Sequence, residues 1–333
     1  VLGSQRALQF GGEQVFKHEM RQYNCFEINT EFVTTEGVKT FSQFSHGDEV
    51  FVPTHTGSFQ KAVVKNYGKQ PMNEITFKKH NGTKKVIATG DHRWILKDGS
   101  ETTDLSVGDN IYKPVNTFSY FDYDSALPME KLYWCYGLVY GDGTKVKENG
   151  EYSRSMIRLC GHDKQYKSRF EEMGFSTSSS HSLGGDFMAY TGSYLKEPPD
   201  PEKDGPEMIR AFVAGYLAAD GEKNHNKTGS DYKSIQSSDI DHIEFIRKCF
   251  PISGVWIMSE TELTGQKTNF GTRPYTISFK VSDNMGSKYN SGWKVSEIKE
   301  VGIRDSWCLE VEEDASFILP SGIVTGNCSY SHV

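Results

Sequence analysis

Hydrophobic and polar positions along the chain alternate in short β-type runs near both ends. In the first part these runs are separated by Gly-Asp turns; they are residues 31–35, 49–52, 74–77, 85–88 and 110–112. The same texture returns late in the chain, in residues 301–303, 307–311 and 317–319. Short apolar runs punctuated by turn residues predict an all-β unit, here in two pieces.

Between these pieces, from about residue 116 to 285, the pattern becomes mixed helix and strand. Residues 131–141 and 210–219 are apolar and helix-like, and 275–281 is strand-like. Residues 239–250 predict an amphipathic helix, because apolar side chains recur there at helical spacing. The simplest interpretation is a β unit interrupted by an α/β insertion.

Length and composition narrow the class of protein. A chain of 333 residues is expected to hold two or more domains. Its net charge of −7 argues against a protein whose main role is to hold DNA electrostatically. No long apolar run and no signal-peptide pattern is present, so we expect no membrane partner and a cytoplasmic location. The six cysteines are scattered without metal-ligand spacing, which predicts free thiols.

Three residues near the ends of the chain can cut and rejoin it. The Cys25 thiol can attack the preceding carbonyl and turn the Asn24–Cys25 amide into a thioester, because Cys is intrinsically nucleophilic. The Cys328 thiol can then take the acyl group. The Asn327 carboxamide can finally attack its own carbonyl, which cleaves the chain as a succinimide forms.

A hydroxyl and an imidazole, Thr89 and His92, follow a predicted strand and lie one short turn apart. Such a pair can hydrogen-bond to the upstream amide. His92 can protonate the departing nitrogen of Cys25, and histidine is well suited to act as a general acid in this way. For an isolated histidine, a surface position at a strand end is the more common situation.

Together, Cys25, residues 34–52, the Thr89–His92 motif, Asp104–Asp109 and the closing segment 309–328 resemble the Hint splicing domain of inteins. The resemblance implies a horseshoe-like all-β fold that brings Cys25, His92 and Asn327 together and needs no cofactor for splicing. The predicted domains are an upstream flank (1–24), the two parts of the splicing domain (25–115 and 286–327), the insertion (116–285) and a downstream flank (328–333).

Three positions depart from the usual intein pattern. Gly326 stands where a histidine commonly precedes the terminal Asn, Ser316 replaces a second histidine, and Cys308 occupies a strand position usually held by Asp. Trp94, Cys308 and Thr325 match the set carried by class 3 inteins, in which the internal cysteine is the first nucleophile. Three roles for Cys308 therefore stay open: bystander, assisting thiol and primary nucleophile. We expect Cys25 to act first.

Within the insertion, two similar small-residue-rich helical segments end in Asp-Gly, at Asp142 and Asp220. Small residues let two helices pack backbone to backbone, which would place the two carboxylates side by side. Close carboxylates need a cation between them, and their hard oxygens suit Mg²⁺. Metals held in this way can promote phosphodiester cleavage.

The paired segments resemble LAGLIDADG homing endonucleases, which often lie inside inteins. This resemblance implies a pseudo-symmetric α+β domain, a Mg²⁺-dependent cut in double-stranded DNA of the intein-free host gene, and a catalytic role for Lys280 on its predicted strand. The insertion carries 19 basic against 24 acidic residues, whereas a DNA-binding surface should be locally basic. A decayed endonuclease that still folds is therefore the alternative.

The flanks, residues 1–24 and 328–333, resemble part of a class II, adenosylcobalamin-dependent ribonucleotide reductase. That resemblance implies the host into which the element is inserted, with the chain's own flanks as its splicing partners. A secreted, hedgehog-like autoprocessing domain would share the threonine and histidine chemistry, but it lacks an Asn-Cys downstream junction.

Overall fold

The computed structural model describes residues 24–79, 82–112, 121–180, 185–223, 232–268, 271–282 and 292–327. These form two compact units. The first comprises residues 24–34, 38–112 and 292–327, and the second residues 35–37 and 121–282, with the gaps just given. Cys328, the second thiol of the predicted splicing reaction, lies outside the described residues, as does the upstream flank before Asn24.

The first unit is mostly β. Its described strands are β1 (Phe26–Glu27), β2 (Glu31–Thr34), β3 (Gly37–Thr40), β4 (Glu49–Pro53), β5 (Phe59–Lys79), β6 (Gly82–Thr89), β7 (Trp94–Ile95), β8 (Glu101–Thr102), β17 (Lys294–Val311), β18 (Ser316–Ile318) and β19 (Val324–Gly326). A 3₁₀ turn covers Phe41–Gln43. One antiparallel sheet has the order β17-β1-β6-β5-β4, another the order β18-β19-β7-β8, and β2 pairs with β3.

Two strands are far longer than the short runs in the sequence predict. β5 extends over 21 residues and β17 over 18, and the two pair antiparallel from Lys294↔Lys78 to Val311↔Ala62. Three register shifts interrupt the pairing, and Gly68 and Gly302 adopt positive φ. Such irregularities bend a strand without ending it. Because β17 also pairs with β1, the curved ribbon holds β1 between β17 and β6.

Aromatic side chains fix β1 in place. The Phe26 ring lies 5.7 Å from that of Phe317 and 6.0 Å from that of Trp94, in edge-on arrangements. Phe32 and Phe41 pack beside them at a centroid distance of 4.7 Å. All five side chains are almost fully buried, and each such burial stabilises the fold by roughly 1.5–3 kcal/mol. The residue before Phe26, Cys25, is consequently held in the core.

The second unit consists of two halves with one topology. The first half holds α1 (Pro128–Asp142), β9 (Thr144–Glu148), β10 (Glu151–Leu159), α2 (Lys167–Glu172), β11 (Ser176–Ser180) and β12 (Asp186–Tyr190). The second half holds α3 (Pro201–Asp220), β13 (Glu222–Lys223), β14 (Tyr232–Ser237), α4 (Ile240–Cys249), β15 (Trp256–Thr268) and β16 (Gly271–Ser282). Their four-stranded sheets have the orders β11-β12-β10-β9 and β13-β14-β16-β15. Read from its other edge, the first order is β9-β10-β12-β11, which matches the second order strand for strand.

Helices α1 and α3 pack backbone to backbone, as their small residues predict. A Cβ added to Gly137 would lie 2.0 Å from the Phe212 carbonyl oxygen, and one added to Gly215 would lie 2.0 Å from that of Trp134. Both glycines precede the terminal aspartate of their helix by five positions. A side chain at either glycine would therefore push the helices apart.

None of the helices that the structure describes combines the length and apolar character needed to cross a membrane.

Candidate active site

The backbone of Cys25 is paired with the end of β6. The Cys25 N–H donates to Thr89 Oγ1 at 3.1 Å, and the Thr89 N–H donates to the Cys25 carbonyl at 2.9 Å. Cys25 is fully buried. The Thr89 side chain thus holds the Asn24–Cys25 amide, which the sequence marks as the upstream junction, and the Thr89 main chain holds the carbonyl of the following peptide bond.

Cys308 lies across from Cys25 in the neighbouring strand. Phe26 pairs with Trp307 and Glu27 with Ser306, so the antiparallel register continued by one residue places Cys25 opposite Cys308. The polar backbone groups of Cys25 face Thr89, which makes this a non-hydrogen-bonded pair, and such pairs have Cα atoms about 4.5 Å apart with side chains on one face. The two thiols belong to one buried cluster with Met72.

His92 is completely buried next to the junction. Its Nε2 is 2.5 Å from Thr325 Oγ1, and its ring lies 4.2 Å from Phe26 and 4.7 Å from Trp94. Burial lowers the pKa of His92 to about 3; the nearby main chain of Asn24 opposes this shift only in part. Because burial disfavours the charged form, the His92 imidazole is neutral at pH 7.

The buried histidine predicts a loss of stability in acid. The His92 pKa is about 3 in the folded chain and 6.5 unfolded, so between these values only the unfolded state binds the proton. Above pH 6.5 the free energy of unfolding is not reduced by this group. Below pH 6.5 it falls as the pH drops, and at pH 5 it is lower by about 2 kcal/mol. Urea unfolding of a splicing-blocked chain at pH 8 and pH 5 measures it. A His92→Gln chain should lack this part of the pH dependence. If its free energy of unfolding fell between pH 8 and pH 5 as much as that of the parent, the lowered pKa of His92 would be contradicted.

Trp94 and Thr325 meet at His92. They are directly paired residues of β7 and β19, and each contacts the imidazole. Cys308, the third residue of the class 3 pattern, belongs instead to the Cys25 cluster. Trp94 and Thr325 therefore lie on the His92 side of the upstream junction, and Cys308 lies on the Cys25 side.

Asn327 is held by both ends of its carboxamide. Its Nδ2 donates to the Val311 carbonyl at 2.8 Å, and its Oδ1 accepts from Arg93 Nη2 at 2.9 Å. The Asn327 main-chain N–H donates to the Ala315 carbonyl at 2.9 Å. The side chain is 2% exposed. The nucleophile proposed for downstream cleavage is thus fixed in position.

Arg93 is a residue of this site that the sequence did not reveal. Besides Asn327, its guanidinium contacts the Ala315 carbonyl and forms an ion pair with Glu101 at 3.1 Å. The Arg93 carbonyl accepts from the Gly326 N–H at 3.0 Å. The available signal was an arginine directly after His92, together with a glycine, Gly326, directly before Asn327.

The packing of Arg93 explains why residue 326 is glycine. A Cβ at Gly326 would lie 2.5 Å from Arg93 Nε and 2.9 Å from the Arg93 carbonyl. The backbone carbonyl cannot move aside without breaking the β7–β19 pairing. A histidine side chain at this position therefore does not fit beside Arg93.

The second departure, Ser316, has a histidine partner elsewhere in the chain. His55 Nδ1 is 2.7 Å from Ser316 Oγ, and the His55 N–H donates to the same oxygen at 3.0 Å. Ser316 pairs with Gly326 across β18 and β19. The His55 imidazole is thus hydrogen-bonded to β18, the strand that pairs with β19, after which the downstream junction follows.

In the second unit, Asp142 and Asp220 end adjacent helices. Asp220 Oδ2 would lie 3.2 Å from a Cβ added to Gly141, the residue before Asp142. Lys196 lies near both. Its Nζ donates to the Gly143 carbonyl at 2.8 Å, and both aspartates raise its pKa against the larger lowering caused by burial. Burial and the charge of Asp163 raise the pKa of Asp142.

Lys280 is exposed on β16, opposite Ser234 of β14. Its charge acts on Glu222, two residues after Asp220. Lys196 is a second lysine near the two aspartates, and its distance along the chain from either one did not mark it.

Asp142 and Asp220 are of the residue type that holds Mg²⁺ together with water or phosphate. Magnesium is usually bound through one or two carboxylates, with water and substrate phosphates as its other ligands. Asp142 and Asp220 supply such a pair, and the Lys196 ammonium adds a positive charge there. Among the residues that the structure describes, no group of three or more His, Cys, Asp or Glu could form an all-protein cage.

Comparisons with known proteins yield distant structural similarities. No protein-family model and no curated protein sequence matches the chain. An Ssp DnaB mini-intein variant aligns over 92% of this chain and 96% of its own, with 8% identity and a TM-score of 0.34. The gp41-1 intein aligns over 27% of this chain and 68% of its own, with 24% identity and a TM-score of 0.22.

The N-terminal LAGLIDADG domain of WhiA aligns over 46% of this chain and 76% of its own, with 10% identity and a TM-score of 0.31. Superpositions with such scores are loose. The function is therefore inferred below from the residues of the two sites.

Proposed function

We propose that the chain splices itself, so that residues 25–327 leave and the two flanks are joined. One observation carries this proposal: both junctions, distant in sequence, meet at His92. The His92 ring lies 4.2 Å from that of Phe26, the residue after Cys25, and it is hydrogen-bonded to Thr325, two residues before Asn327. Reactions at both ends of the segment can therefore share one buried site.

In the first step the Cys25 thiol attacks the Asn24 carbonyl carbon. A C–S bond forms, the C–N bond of the Asn24–Cys25 amide breaks, and the Cys25 nitrogen takes up a proton. That proton comes from the Cys25 thiol, and the buried imidazole of His92, which lies beside the junction, is the group that can relay it. Thr89 Oγ1 holds the same amide by its N–H.

In the next steps the acyl group passes from Cys25 to the Cys328 thiol, giving a branched chain. The Asn327 carboxamide nitrogen then attacks its own carbonyl carbon and expels the Cys328 nitrogen. A succinimide ends the released segment, and the joined flanks revert from thioester to amide. Every bond formed replaces one that is broken, so the sequence needs no cofactor.

Incubation of the purified precursor tests this function directly. Mass spectrometry should find two products, the segment 25–327 with a succinimide end and a ligated peptide in which Asn24 is followed by Cys328. A precursor that keeps its full mass and yields no thioester with added thiol would refute self-splicing.

We further propose that the second unit cuts double-stranded DNA with Mg²⁺. The observation that supports it is the convergence of Asp142 and Asp220 at the ends of two tightly packed helices, beside Lys196. When bound, the metal would stabilise charge on the reacting phosphate oxygens. The expected target is the host gene without the insertion, for which a class II ribonucleotide reductase is proposed from the flanks.

Substituting either aspartate separates the two functions. Asp142→Asn and Asp220→Asn should each reduce Mg²⁺-dependent DNA cutting by about 100-fold or more, because each removes one of two metal ligands. Splicing should change less than about two-fold, since distant sites behave nearly independently. A DNA cleavage assay and a splicing time course on the same preparations measure both effects.

The exposed Asp124 provides the matched control for these substitutions. An Asp124→Asn chain should cut and splice as the parent does. If the parent itself cuts no DNA carrying the uninterrupted host gene, the decayed form of the endonuclease is the correct alternative. Joint loss of splicing and solubility would show that the aspartates are structural.

A further inference from the structure

The Arg93 guanidinium lies where the downstream junction is held. Nη2 donates to Asn327 Oδ1 at 2.9 Å and also contacts the Ala315 carbonyl, while Nη1 pairs with Glu101 Oε2 at 3.1 Å. The Arg93 side chain is only 12% exposed, whereas that of Glu101 is 52% exposed. Glu101 thus holds the guanidinium from the solvent side, while Arg93 Nη2 on the buried side donates to Asn327.

The surrounding backbone is shaped to this contact. Ala315 adopts a left-handed conformation, with φ of +48°, and its carbonyl accepts both from Arg93 and from the Asn327 N–H. Non-glycine residues adopt this conformation at an energetic cost that the surrounding structure must offset. The backbone at Gly326 approaches Arg93 so closely that no side chain fits.

Cyclisation makes two demands on the Asn327 carboxamide. Its Nδ2 must be held in one orientation and must lose a proton, and as it does so negative charge builds on Oδ1. A fixed cationic donor at that oxygen meets both demands, because charge-assisted hydrogen bonds are directional and are strengthened in a buried site. Val311 holds Nδ2 from the other end of the carboxamide.

We propose that Arg93 is a catalytic residue of downstream cleavage, where it orients the Asn327 carboxamide and stabilises charge on Oδ1. In this step a bond forms between Nδ2 and the Asn327 carbonyl carbon, and the bond to the Cys328 nitrogen breaks. The proton lost by Nδ2 ends on that nitrogen, and the guanidinium stays protonated throughout. The inference rests on the proposed splicing function and identifies the group that serves in place of a penultimate histidine.

The test isolates cyclisation in a Cys25→Ala background, in which upstream chemistry is blocked and release of the downstream flank reports Asn327 alone. In this background Arg93→Met should slow release by about 100-fold, the usual effect of removing one such donor. Arg93→Lys keeps a cation but not the planar pair of donors, so its rate of flank release should lie between those of the parent and Arg93→Met. The control Arg304→Met removes an exposed arginine of the same unit and should cleave at the parental rate.

Two further measurements separate chemistry from folding. In chains that retain Cys25, Arg93→Met should still undergo upstream cleavage when dithiothreitol is added, at the rate of the unsubstituted chain. In the Cys25→Ala background, millimolar guanidinium chloride should partly restore downstream release to an Arg93→Ala chain, whereas equal concentrations of sodium chloride or urea should not.

The proposal for Arg93 is overturned if Arg93→Met releases the flank within about two-fold of its parent. It is also overturned if the substitution abolishes thiol-induced upstream cleavage together with release, because Arg93 is then a folding residue. A chain with unsubstituted Arg93 that shows neither thiol-induced cleavage nor flank release refutes splicing itself, so the two failures are distinguishable.

Discussion

A Cys25→Ala chain is expected to lose both splicing and thiol-induced upstream cleavage, with no ligated or upstream-cleaved product above background in an overnight incubation. Cys25 adjoins the scissile carbonyl, so its attack needs only a local rearrangement and benefits from a high effective concentration. No other thiol is attached at this junction. Mass spectrometry and gel analysis of purified precursor, with and without dithiothreitol, measure both reactions.

Cys308 provides the critical comparison, because the strand register places it opposite Cys25. Cys308→Ala should slow splicing by about 10-fold, equivalent to about 1.4 kcal/mol in the barrier, without stopping it. The exposed Cys160 is the matched control, and Cys160→Ala should splice normally. If Cys25→Ala still splices and Cys308→Ala does not, the internal thiol is the first nucleophile and the proposed assignment is wrong.

An Asn327→Ala chain should release no downstream flank and should accumulate the branched or thioester species. The carboxamide is the nucleophile that breaks the downstream bond, so alanine leaves that bond without a route to cleavage. Upstream acyl transfer should proceed within about two-fold of the parent, because Cys25, Thr89 and His92 form their contacts without the Asn327 side chain. Added hydroxylamine, which captures thioesters, should liberate the upstream flank.

The exposed Asn29 serves as control for the loss of an asparagine in the same unit. Asn29→Ala should splice at the parental rate. Normal ligated product from Asn327→Ala would be incompatible with self-splicing through asparagine cyclisation.

Local sequence patterns indicate where strands and helices occur but not how far they extend. Residues 74–77 and 307–311 mark real strands, yet each is part of a much longer one, β5 or β17. Gly68 and Gly302 look like turn residues in the sequence. Because the two strands pair with each other through register shifts, these glycines bend the ribbon instead of ending it.

For the second unit, the repeat of a small-residue helix ending in aspartate was enough to predict how α1 and α3 pack. That prediction is confirmed at Gly137 and Gly215, because close helix approach depends on the residue types that face each other. The lysine near the aspartates was not predictable in this way. Lys196 reaches them from a segment outside both helices, and only the folded chain shows which lysine does so.

By itself, the sequence determined the reacting groups: a thiol at one junction, a carboxamide and a thiol at the other, and a threonine and a histidine one turn apart. Those groups follow from residue identity and adjacency in the chain. Only the tertiary structure decided which distant residues act on these groups. The pairing of β1 with β17 aligns Cys308 with Cys25. The pairing of β7 with β19 brings Arg93 to Asn327. Contacts between residues more than 200 positions apart depend on strand register, and register is set by the whole fold.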